Sequence, residues 1–345
     1  MHSSTKIINE ETNFLSEKLK DYLKNITKEN LKKKYLQLLK QKINKKILVI
    51  GEPIIDVYNY VQIQGKSSKN NILSSKHIST SEFGGGSILV TNILKEFINK
   101  IDFLTFSNNH NETYVKKFLN DKKIKLRKIK DRNCKYIRKK RFIDKYSKNR
   151  LYQINYNDDF LVTNKSGSKI SNFLEKNSKF YDFIIIFDFG HNLITNDVVK
   201  TLKKLNKKTF INCQSNSSNF GFNLINKYSK ANTISMDEQE FRLSVQDKNS
   251  PIKQLIKQNK KFIKNFKNFI ITMGKYGSYH VAKNSSLYCP TVYSSFEDTT
   301  GSGDVFFSIY IALKISNKFS DKEISLISHI AAGLHANKVG NDKIF

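Results

Sequence analysis

The sequence predicts an α/β fold built on a mostly parallel central sheet. Three short apolar runs have the composition of buried strands, and each stops at a polar residue or a glycine: 47–50, 183–187 and 269–273. Segments with helical spacing lie between them, at 195–206 and 251–264, and this alternation is typical of parallel sheets. Because ligands bind at the carboxyl ends of parallel strands, we expect the three strand ends to line one cleft.

The chain is long enough for one large domain and a short extension. Its 345 residues are 39% hydrophobic and include 25 Phe and 16 Tyr, which is enough material for a packed core. Residues 8–45 carry apolar side chains at mostly helical intervals. They predict one or two amphipathic helices, which either pack on the large domain or connect it to another. We therefore expect an N-terminal helical extension at 1–46 and a main domain at 47–345.

A small β lid is expected beside the central sheet. Residues 57–80 and 134–158 hold alternating or mixed stretches, such as 140–144, in place of continuous apolar runs. Such stretches fit the strands of a lid. The predicted architecture is a three-layer α/β/α domain with a mostly parallel central sheet and a small β lid.

The formal net charge of the chain is +30. Such a charge suggests nucleic acid or an anionic membrane as a partner, because lysine and arginine neutralise phosphates. The lysines are scattered over nearly every predicted surface, however, so we favour a compositional bias and expect neither partner. No apolar run approaches the roughly 18–20 residues of a membrane span. Cys134, Cys213 and Cys289 lie too far apart for a disulfide framework or a zinc site, which fits a cytoplasmic protein.

The most informative segment is D-T-T-G-S-G-D at residues 298–304, followed by a predicted apolar helix at 305–313. Glycines just before a helix let backbone N–H groups converge on an anion, and the helix dipole adds positive potential there. Asp304 stands at the helix start. It either accepts a proton from a substrate hydroxyl or simply caps a core helix after a glycine turn.

This segment closely resembles the D-T-x-G-A-G-D signature of the ribokinase-like (PfkB) family of carbohydrate kinases. The resemblance implies ATP-dependent phosphoryl transfer to a sugar hydroxyl, with ATP and Mg²⁺ as cofactors. It makes Asp304 the catalytic base. It assigns the anion hole to Gly301, Ser302 and Gly303. Asp298 and Thr300 match positions near a monovalent-cation site, so the resemblance also implies K⁺.

Other landmarks of the family follow in the expected order on the substrate side. Residues 51–56 resemble the opening strand whose last Asp binds sugar hydroxyls, and this role carries over to Asp56. The family's di-glycine turn, against which the sugar lies, corresponds to Gly84, Gly85 and Gly86. In the lid region, Lys140 and Arg141 either hold the phosphate of a sugar phosphate or belong to a solvated basic face.

Two further residues lie at the carboxyl end of the strand predicted at 183–187. Asp188 and His191 are interpreted as substrate-side residues, or equally as buried groups of a turn. His329 and His335 are six residues apart and make poor metal ligands. No metal site is expected from histidine or cysteine.

The nucleotide side of the family pattern falls in the second half of the chain. Thr272, Gly274 and Gly277 match the T-x-G-x-x-G segment that borders ATP. Asp237 and Glu240 occupy the N-x-x-E motif, which implies that Glu240 organises Mg²⁺ through water and that Asp replaces the usual Asn. The resemblance further places Asn212 with the cofactor-binding residues. Asn337, in the segment 331–340, is placed beside adenine.

Within this family, three stretches resemble D-glycero-D-manno-heptose 7-phosphate kinases and the kinase domains fused to nucleotidyltransferases: 65–72, 188–191 and 212–221. The implied substrate is the anomeric hydroxyl of a heptose 7-phosphate, giving a 1,7-bisphosphate, with ribose, fructose or a nucleoside as alternatives. The resemblance also implies a homodimer formed through the lid and a separate nucleotidyltransferase in the same pathway. Residues 8–45 would correspond to the helical connection found in fused relatives.

One departure concerns the sugar-binding Asn that relatives place three residues after the di-glycine. This chain has Ile88 or Leu89 there, and Asn92 only later. The loss removes a polar contact to a hydroxyl, so the acceptor differs from that of ribokinase or activity is impaired. Together with Asp237 it motivates a second hypothesis, a noncatalytic sugar or nucleotide sensor.

Overall fold

The computed structural model of the chain describes residues 16–24, 26–107, 109–119, 121, 123–131, 134, 137–156, 164–283, 285–293 and 296–337. Its strands are β1 Ile43–Gly51, β2 Pro53–Lys66, β3 Leu73–Gly86, β4 Ile98–Ser107, β5 Ile124–Lys130, β6 Ile137–Asp144, β7 Arg150–Tyr156, β8 Phe183–Asp188, β9 Thr209–Cys213, β10 Ala231–Asp237, β11 Phe266–Thr272, β12 Ser278–Ala282 and β13 Ser285–Cys289. Its helices are α1 Glu17–Leu23, α2 Lys28–Lys40, α3 Ser87–Phe97, α4 Asn109–Leu119, α5 Asn164–Asn177, α6 Asn196–Lys204, α7 Glu238–Val245, α8 Ile252–Gln258, α9 Lys260–Ile263, α10 Ser302–Ser316 and α11 Asp321–Ala336.

The larger sheet has nine strands in the order β13-β12-β11-β10-β9-β8-β1-β4-β5. Neighbouring strands from β11 to β5 run parallel, whereas β12 and β13 pair antiparallel at one edge. The prediction of a mostly parallel central sheet is confirmed. Strand β1 starts earlier than its apolar run, because Ile43 already pairs with Ile98 of β4 while polar residues follow it.

Side chains of the central strands alternate between two cores on opposite faces of the sheet. In β1, Ile47 and Val49 pack into the core formed with α3, α10 and α11, whereas Leu48 and Ile50 pack into the core formed with α5, α6 and α8. A parallel sheet with helices on both faces buries its strands completely. The three-layer α/β/α prediction is therefore confirmed.

The lid is a four-stranded sheet in the order β3-β2-β6-β7. It begins at Pro53 and its second strand ends at Gly86, so it extends beyond the segment 57–80 at both ends. In the second lid segment the strands are β6 and β7, while residues 157 and 158 lie outside the described residues. Strand β2 pairs in parallel with β6, which sets Asp56 opposite Lys139. The lid thereby stands over the carboxyl end of β1.

The N-terminal helices pack on the main domain, which corresponds to the first of the two alternatives for this segment. Leu19 and Tyr22 of α1 are buried against Cys289 and Leu326. The Tyr22 hydroxyl donates to the Lys322 carbonyl oxygen at 2.9 Å. In α2, the Lys34 ammonium lies 2.9 Å from the Glu323 carboxylate. Both contacts hold the start of α11 against the N-terminal helices. Residues 1–15 of the predicted extension lie outside the described residues.

Helix α10 begins inside the glycine-rich segment, at Ser302, and runs through the core. Val305, Phe307 and Ile311 are fully buried, and the helix is apolar on nearly all sides. Its N-terminus is consequently held rigidly at the carboxyl edge of the sheet. Over the described part of the chain, every helix is too short or too polar to span a bilayer.

Candidate active site

The glycine-rich turn before α10 forms the floor of the site. Gly301 has a φ of +77°, a left-handed conformation that favours glycine, and it precedes the first helical residue. Gly303 is exposed, and a Cβ there would meet no atom within 4 Å. The first amides of a helix have no acceptor within the helix. The start of α10 therefore presents backbone donors to an open space.

Asp304 lies in the first turn of α10 with only 6% of its surface exposed. Its Oδ1 accepts a hydrogen bond of 2.6 Å from Nε2 of Gln214. Burial raises the pKa of Asp304 to about 7; the Gln214 hydrogen bond opposes this and the negative charge of Asp56 adds to it. A carboxylate with a pKa near neutrality can accept a proton from a hydroxyl.

Gln214 is a site residue that sequence reasoning missed. It follows the last residue of β9, and its backbone N–H donates to the Asp188 carbonyl oxygen at 2.9 Å. Its Nε2 lies 2.5 Å from Oδ1 of Asn212 as well as next to Asp304. The sequence signal was weak, because the segment 209–213 interrupts its apolar residues with Thr209 and Asn212 and so lacks the continuous run of the other strands.

Asn212 lies inside the sheet edge and does not face an open cleft. It is 4% exposed, and its Nδ2 donates to the Ser235 carbonyl oxygen at 3.2 Å. Its contact with Gln214 fixes the amide that bonds Asp304. The structure thus brings Asn212 to the site indirectly, through Gln214.

Asp56 and Arg141 form a buried ion pair on the site-facing side of the lid. They are 4% and 6% exposed, and the Arg141 guanidinium contacts the Asp56 carboxylate. The guanidinium also lies 5.5 Å from the centre of the Tyr58 ring. The charges of Asp56 and Lys139, which share this face of the lid, both act on the pKa of Asp304. The structure therefore brings Asp56, Arg141 and Asp304 to one place.

Lys140 lies on the other face of β6, because successive side chains of a strand alternate. Its ammonium is 5.9 Å from the centre of the Tyr156 ring. Lys139, which sequence reasoning did not select, shares the face of Arg141 and is half-buried. Of the two basic residues expected to meet a phosphate, the structure brings only Arg141 to the site.

A cleft of about 340 Å³ adjoins the start of α10. It is lined by residues from both predicted nucleotide segments and from the glycine-rich turn, among them Asp237, Thr272, Gly274, Ser302, Gly303 and Gly333. The Ser302 hydroxyl is buried and has no hydrogen-bond partner among the described residues. A larger cleft of about 830 Å³ lies at the opposite edge of the sheet, where Ala231 and Phe266 begin their strands. Ligands of parallel sheets bind at the carboxyl edge, and the smaller cleft lies there and borders the glycine-rich turn, so it is the candidate.

The T-x-G-x-x-G segment makes a tight turn at the rim of this cleft. Gly274 and Gly277 have φ values of +52° and +91°, and the backbone N–H of Met273 donates to the Gly277 carbonyl oxygen at 2.8 Å. A Cβ on Gly277 would overlap the carbonyl oxygen of Cys289. The backbone therefore requires glycine at 277, and the left-handed conformation favours it at 274.

Asp237 and Glu240 form a capping box at the start of α7. The Asp237 side chain accepts from the Glu240 amide at 2.7 Å, and Glu240 accepts from the Asp237 amide at 2.7 Å. The other Glu240 oxygen accepts the Ser215 amide at 2.6 Å. Burial, followed by the charge of Asp237, raises the pKa of Glu240 to about 8, and Asp304 adds to this. Asp serves the cap that Asn would otherwise make, so this departure leaves the local structure intact.

Asp188 is buried in a network of its own. It is 1% exposed, and its carboxylate contacts the Tyr228 hydroxyl at 2.6 Å, the Lys227 ammonium at 2.5 Å and Nδ2 of Asn223 at 3.2 Å. His191 is also buried, and its backbone N–H donates to Glu52 at 3.2 Å. The contacts of Asp188 hold the loop between β8 and the following segment. The structure does not bring Asp188 together with Asp304.

Glu52, like Asp188, is a buried acidic residue, and no function was assigned to it from the sequence. Its carboxylate accepts the backbone N–H groups of Phe189, His191 and Leu193. Burial and the charge of Asp188 raise the pKa of Glu52 to about 7. Glu52 thus organises the turn after β8.

The di-glycine turn ends β3 and leads directly into α3. Gly86 has a φ of +56° and precedes the helix, and Gly84 and Gly85 pair with Ile55 and Ile54 of β2. Ile88 and Leu89 are buried in the core at 1% and 5% exposure. Asn92 points away, since its Nδ2 donates to the Phe118 carbonyl oxygen at 2.9 Å. The position of the missing Asn is therefore filled by apolar side chains.

Asp298 and Thr300 are held by the chain's own donors. Asp298 accepts the Tyr58 hydroxyl at 2.8 Å and the Thr300 amide at 2.8 Å, and its carboxylate contacts the guanidinium of Arg150. Arg150 also donates to the Thr300 hydroxyl at 2.6 Å. Nε2 of His335 lies 2.9 Å from the Thr300 carbonyl oxygen. Arg150, the first residue of β7, was not foreseen from the sequence.

The C-terminal end of α11 lies on the side of the site that the family pattern assigns to the nucleotide. The Ala336 carbonyl oxygen accepts the amides of Glu297 and Asp298 at 3.0 and 2.9 Å. Asn337 is exposed, and its Nδ2 donates to the Gly333 carbonyl oxygen at 2.9 Å. His329 lines the cleft and bonds the Ser278 hydroxyl at 2.9 Å. Residues 338–340 of the predicted adenine segment lie outside the described residues.

Similar proteins were found at the level of both sequence and fold. The bifunctional protein HldE of Aliarcobacter butzleri is 26% identical over 303 residues, which are 86% of this chain and 61% of that protein. The chain thus spans about three fifths of this curated relative. Among solved structures, a mutant of phosphofructokinase-2 from Escherichia coli matches with a TM-score of 0.67 and 10% identity over 86% of this chain and 94% of that one. Ribokinase from Thermotoga maritima matches with a TM-score of 0.60 and 16% identity over the same shares, 86% and 94%.

The two structural likenesses confirm the ribokinase-like fold. The family model described as pfkB family carbohydrate kinase matches residues 44–337, which is most of the chain. The chain belongs to the pfkB family of carbohydrate kinases, phosphotransferases that use an alcohol group as acceptor.

Proposed function

We propose that this protein transfers the γ-phosphoryl group of ATP to the anomeric hydroxyl of a heptose 7-phosphate, with Asp304 as the base. The substrate class rests on the three stretches that resemble heptose 7-phosphate kinases and is supported by the similarity to HldE. The observation that carries the reaction is the position of Asp304. It is a buried carboxylate with a pKa raised to about 7, in the first turn of a core helix and beside an open cleft.

In this mechanism Asp304 receives the proton of the attacking hydroxyl. Gln214 holds the carboxylate in position through the 2.6 Å hydrogen bond. The backbone N–H groups at Gly301 and Gly303 stabilise charge on the phosphoryl group, whereas that of Ser302 already donates to the Thr299 carbonyl oxygen at 3.1 Å. The Ser302 hydroxyl, which has no hydrogen-bond partner among the described residues, offers a further donor. These groups are fixed before the substrate arrives, which is what electrostatic stabilisation requires.

A divalent ion fits the chemistry of the residues at the cleft. Asp237 and Glu240 supply carboxylate oxygens, the ligand type that Mg²⁺ prefers, and both Glu240 oxygens already accept amides. Glu240 would therefore hold Mg²⁺ through water. When bound with ATP, the ion neutralises charge on the phosphates.

For the sugar, we propose the space between the di-glycine turn, Asp56 and the lid. The Arg141 guanidinium pairs with Asp56 and orients the carboxylate, whose oxygens can accept hydroxyl hydrogen bonds. Lys139 and Arg141 make this face of the lid basic, which suits an anionic sugar phosphate. The apolar Ile88 and Leu89 remove one polar contact and so favour an acceptor other than ribose.

We also propose that the lid forms a homodimer. On β7, Tyr152, Ile154 and Tyr156 are 53%, 38% and 43% exposed and lie on one face of the strand. Exposed apolar side chains in a row mark interaction surfaces. The charge-introducing variant Ile154→Lys should halve the molecular mass measured by light scattering, and an unchanged mass would refute a dimer through this face.

The reaction is tested with the variant Asp304→Asn. We expect ADP formation with heptose 7-phosphate to be lost while ATP binding, measured by calorimetry, is retained. Asp197→Asn is the matched control, because Asp197 is exposed on α6 and should leave the rate unchanged. A wild-type rate in Asp304→Asn would refute the assignment of the base. Binding of ATP and sugar by the wild-type protein without ADP formation from heptose 7-phosphate, ribose or fructose would instead identify a sensor.

A further inference from the structure

The loop at residues 298–300 is the place where the family resemblance implies a monovalent cation. In this chain its side-chain oxygens are already engaged. The two Asp298 oxygens accept from Arg150, the Thr300 amide and the Tyr58 hydroxyl, and the Thr300 hydroxyl accepts from Arg150. The Thr300 carbonyl oxygen faces His335. A cation such as K⁺ needs several oxygens at once, so these residues do not fit it.

The group that takes these oxygens is itself a cation. The Arg150 guanidinium carries one positive charge and contacts both the carboxylate of Asp298 and the hydroxyl of Thr300. Its positive charge takes the place of the charge of a bound K⁺, and its N–H groups bond the carboxylate and hydroxyl oxygens that a K⁺ ion would contact. Asp298 is 6% exposed, and a buried carboxylate requires a positive partner.

Electrostatics of the loop agree with this arrangement. Burial alone would raise the pKa of Asp298, but the hydrogen bonds from the Thr300 amide, Arg150 and Tyr58 outweigh burial and hold that pKa below its ordinary value. The carboxylate is therefore ionised at neutral pH and is neutralised by Arg150.

We propose that Arg150 replaces the monovalent cation, so that this kinase holds its glycine-rich turn with a built-in guanidinium and works without K⁺. Arg150 begins lid strand β7, whereas Asp298 and Thr300 precede α10. The contact therefore also ties the lid to the turn that ends in Asp304. Arg150 acts as a positioning residue, because it reaches the turn and not the reacting atoms.

The first test measures thermal unfolding and does not depend on catalysis. Wild-type protein and the variants Arg150→Ala and Arg150→Lys are compared in potassium chloride and in tetramethylammonium chloride at equal ionic strength. We expect the midpoint of the wild type and of Arg150→Lys to be the same in both salts. Arg150→Ala should be stabilised by K⁺ in a saturable manner, because removing the guanidinium frees the oxygens for the ion.

The second test measures the kinase rate in the same salts, and this arm rests on the proposed function. We expect the wild-type rate to be independent of K⁺. Arg150→Ala should lose about 10- to 100-fold in tetramethylammonium, as expected for one charge-assisted contact, and should recover with K⁺. Arg138→Ala is the control, since Arg138 pairs with Glu82 elsewhere on the lid and its loss should create no K⁺ response.

Two results would overturn the proposal. One is a wild-type protein whose unfolding midpoint or rate rises specifically with K⁺. The other is an Arg150→Ala protein that folds but shows no stabilisation by K⁺. If no sugar is phosphorylated by the wild type, the proposed function fails, and the unfolding comparison still decides the role of Arg150.

Discussion

Removing the Gln214 amide should shift the pH dependence of the reaction toward alkaline pH. In the structure the Gln214 amide donates to Oδ1 of Asp304 at 2.6 Å and stabilises the ionised carboxylate. Burial raises the pKa of Asp304 and this hydrogen bond lowers it, and the net result is a pKa of about 7. The variant Gln214→Leu deletes the donor and replaces the amide by an apolar side chain of similar size, so the pKa of Asp304 should rise further.

The size of the shift follows from the strength of the contact. A hydrogen bond to a charged group contributes about 1.5–3 kcal/mol, which corresponds to roughly 1–2 pKa units. Because Nε2 of Gln214 is shared with Asn212 and water can enter after truncation, we expect the lower end, about one unit. The base works only when deprotonated, so the acidic limb of kcat/KM should move up by about one pH unit.

The assay is a pH profile of kcat/KM with ADP detection. Above the new pKa the rate of Gln214→Leu should approach the wild-type rate, since the carboxylate is then ionised in both proteins. Gln254→Leu, an exposed change of the same kind on α8, should leave the profile in place. A uniform loss of rate at all pH values, with the limb unmoved, would show that Gln214 does not act through the pKa of Asp304.

Three further predictions concern stability. Because the folded-state pKa of Asp304 is raised from 3.8 to about 7, the native state holds this proton more tightly than the unfolded chain, and stability is lost as pH rises from about 4 to 7. Asp304→Asn should therefore increase the free energy of unfolding at pH 8 by up to about 4 kcal/mol. At pH 4 the substitution should leave the free energy of unfolding nearly unchanged. Equal effects at both pH values would contradict this. Gly277→Ala combines a φ of +91° with overlap of the Cys289 carbonyl oxygen, so it should destabilise the protein by more than about 2 kcal/mol in urea unfolding; a change within error would show that the turn rearranges. Lys227→Met leaves the buried Asp188 carboxylate without its ammonium partner and should cost about 3 kcal/mol in the same assay. Neutrality would mean that Tyr228 and Asn223 suffice.

The central sheet could be predicted because its strands are continuous apolar runs that end sharply. The runs at 47–50 and 183–187 have the composition of a buried strand throughout, and both lie inside β1 and β8. The glycine-rich segment could also be predicted, since the left-handed conformation of Gly301 before a buried helix favours glycine at that position. Local chemistry is what a sequence displays directly.

The remaining site residues depend on contacts between distant parts of the chain. Gln214 meets Asp304 across 90 positions, and Arg150 meets Asp298 across 148. No local pattern distinguishes Arg150 from other basic residues of a lysine-rich lid. The face on which Lys140 lies was also undetermined, because it depends on the register between β2 and β6. The roles of these residues remain predictions that the experiments above address.

Helix α11 links the N-terminal helices to the glycine-rich turn. Its first turn is held by the contacts of Tyr22 and Lys34, and its last carbonyl oxygen, that of Ala336, accepts two amides of the loop that carries Asp298. Its 16 residues make a stiff rod of about 24 Å. A displacement of the N-terminal helices would therefore be transmitted along α11 to the loop that precedes the glycine-rich turn.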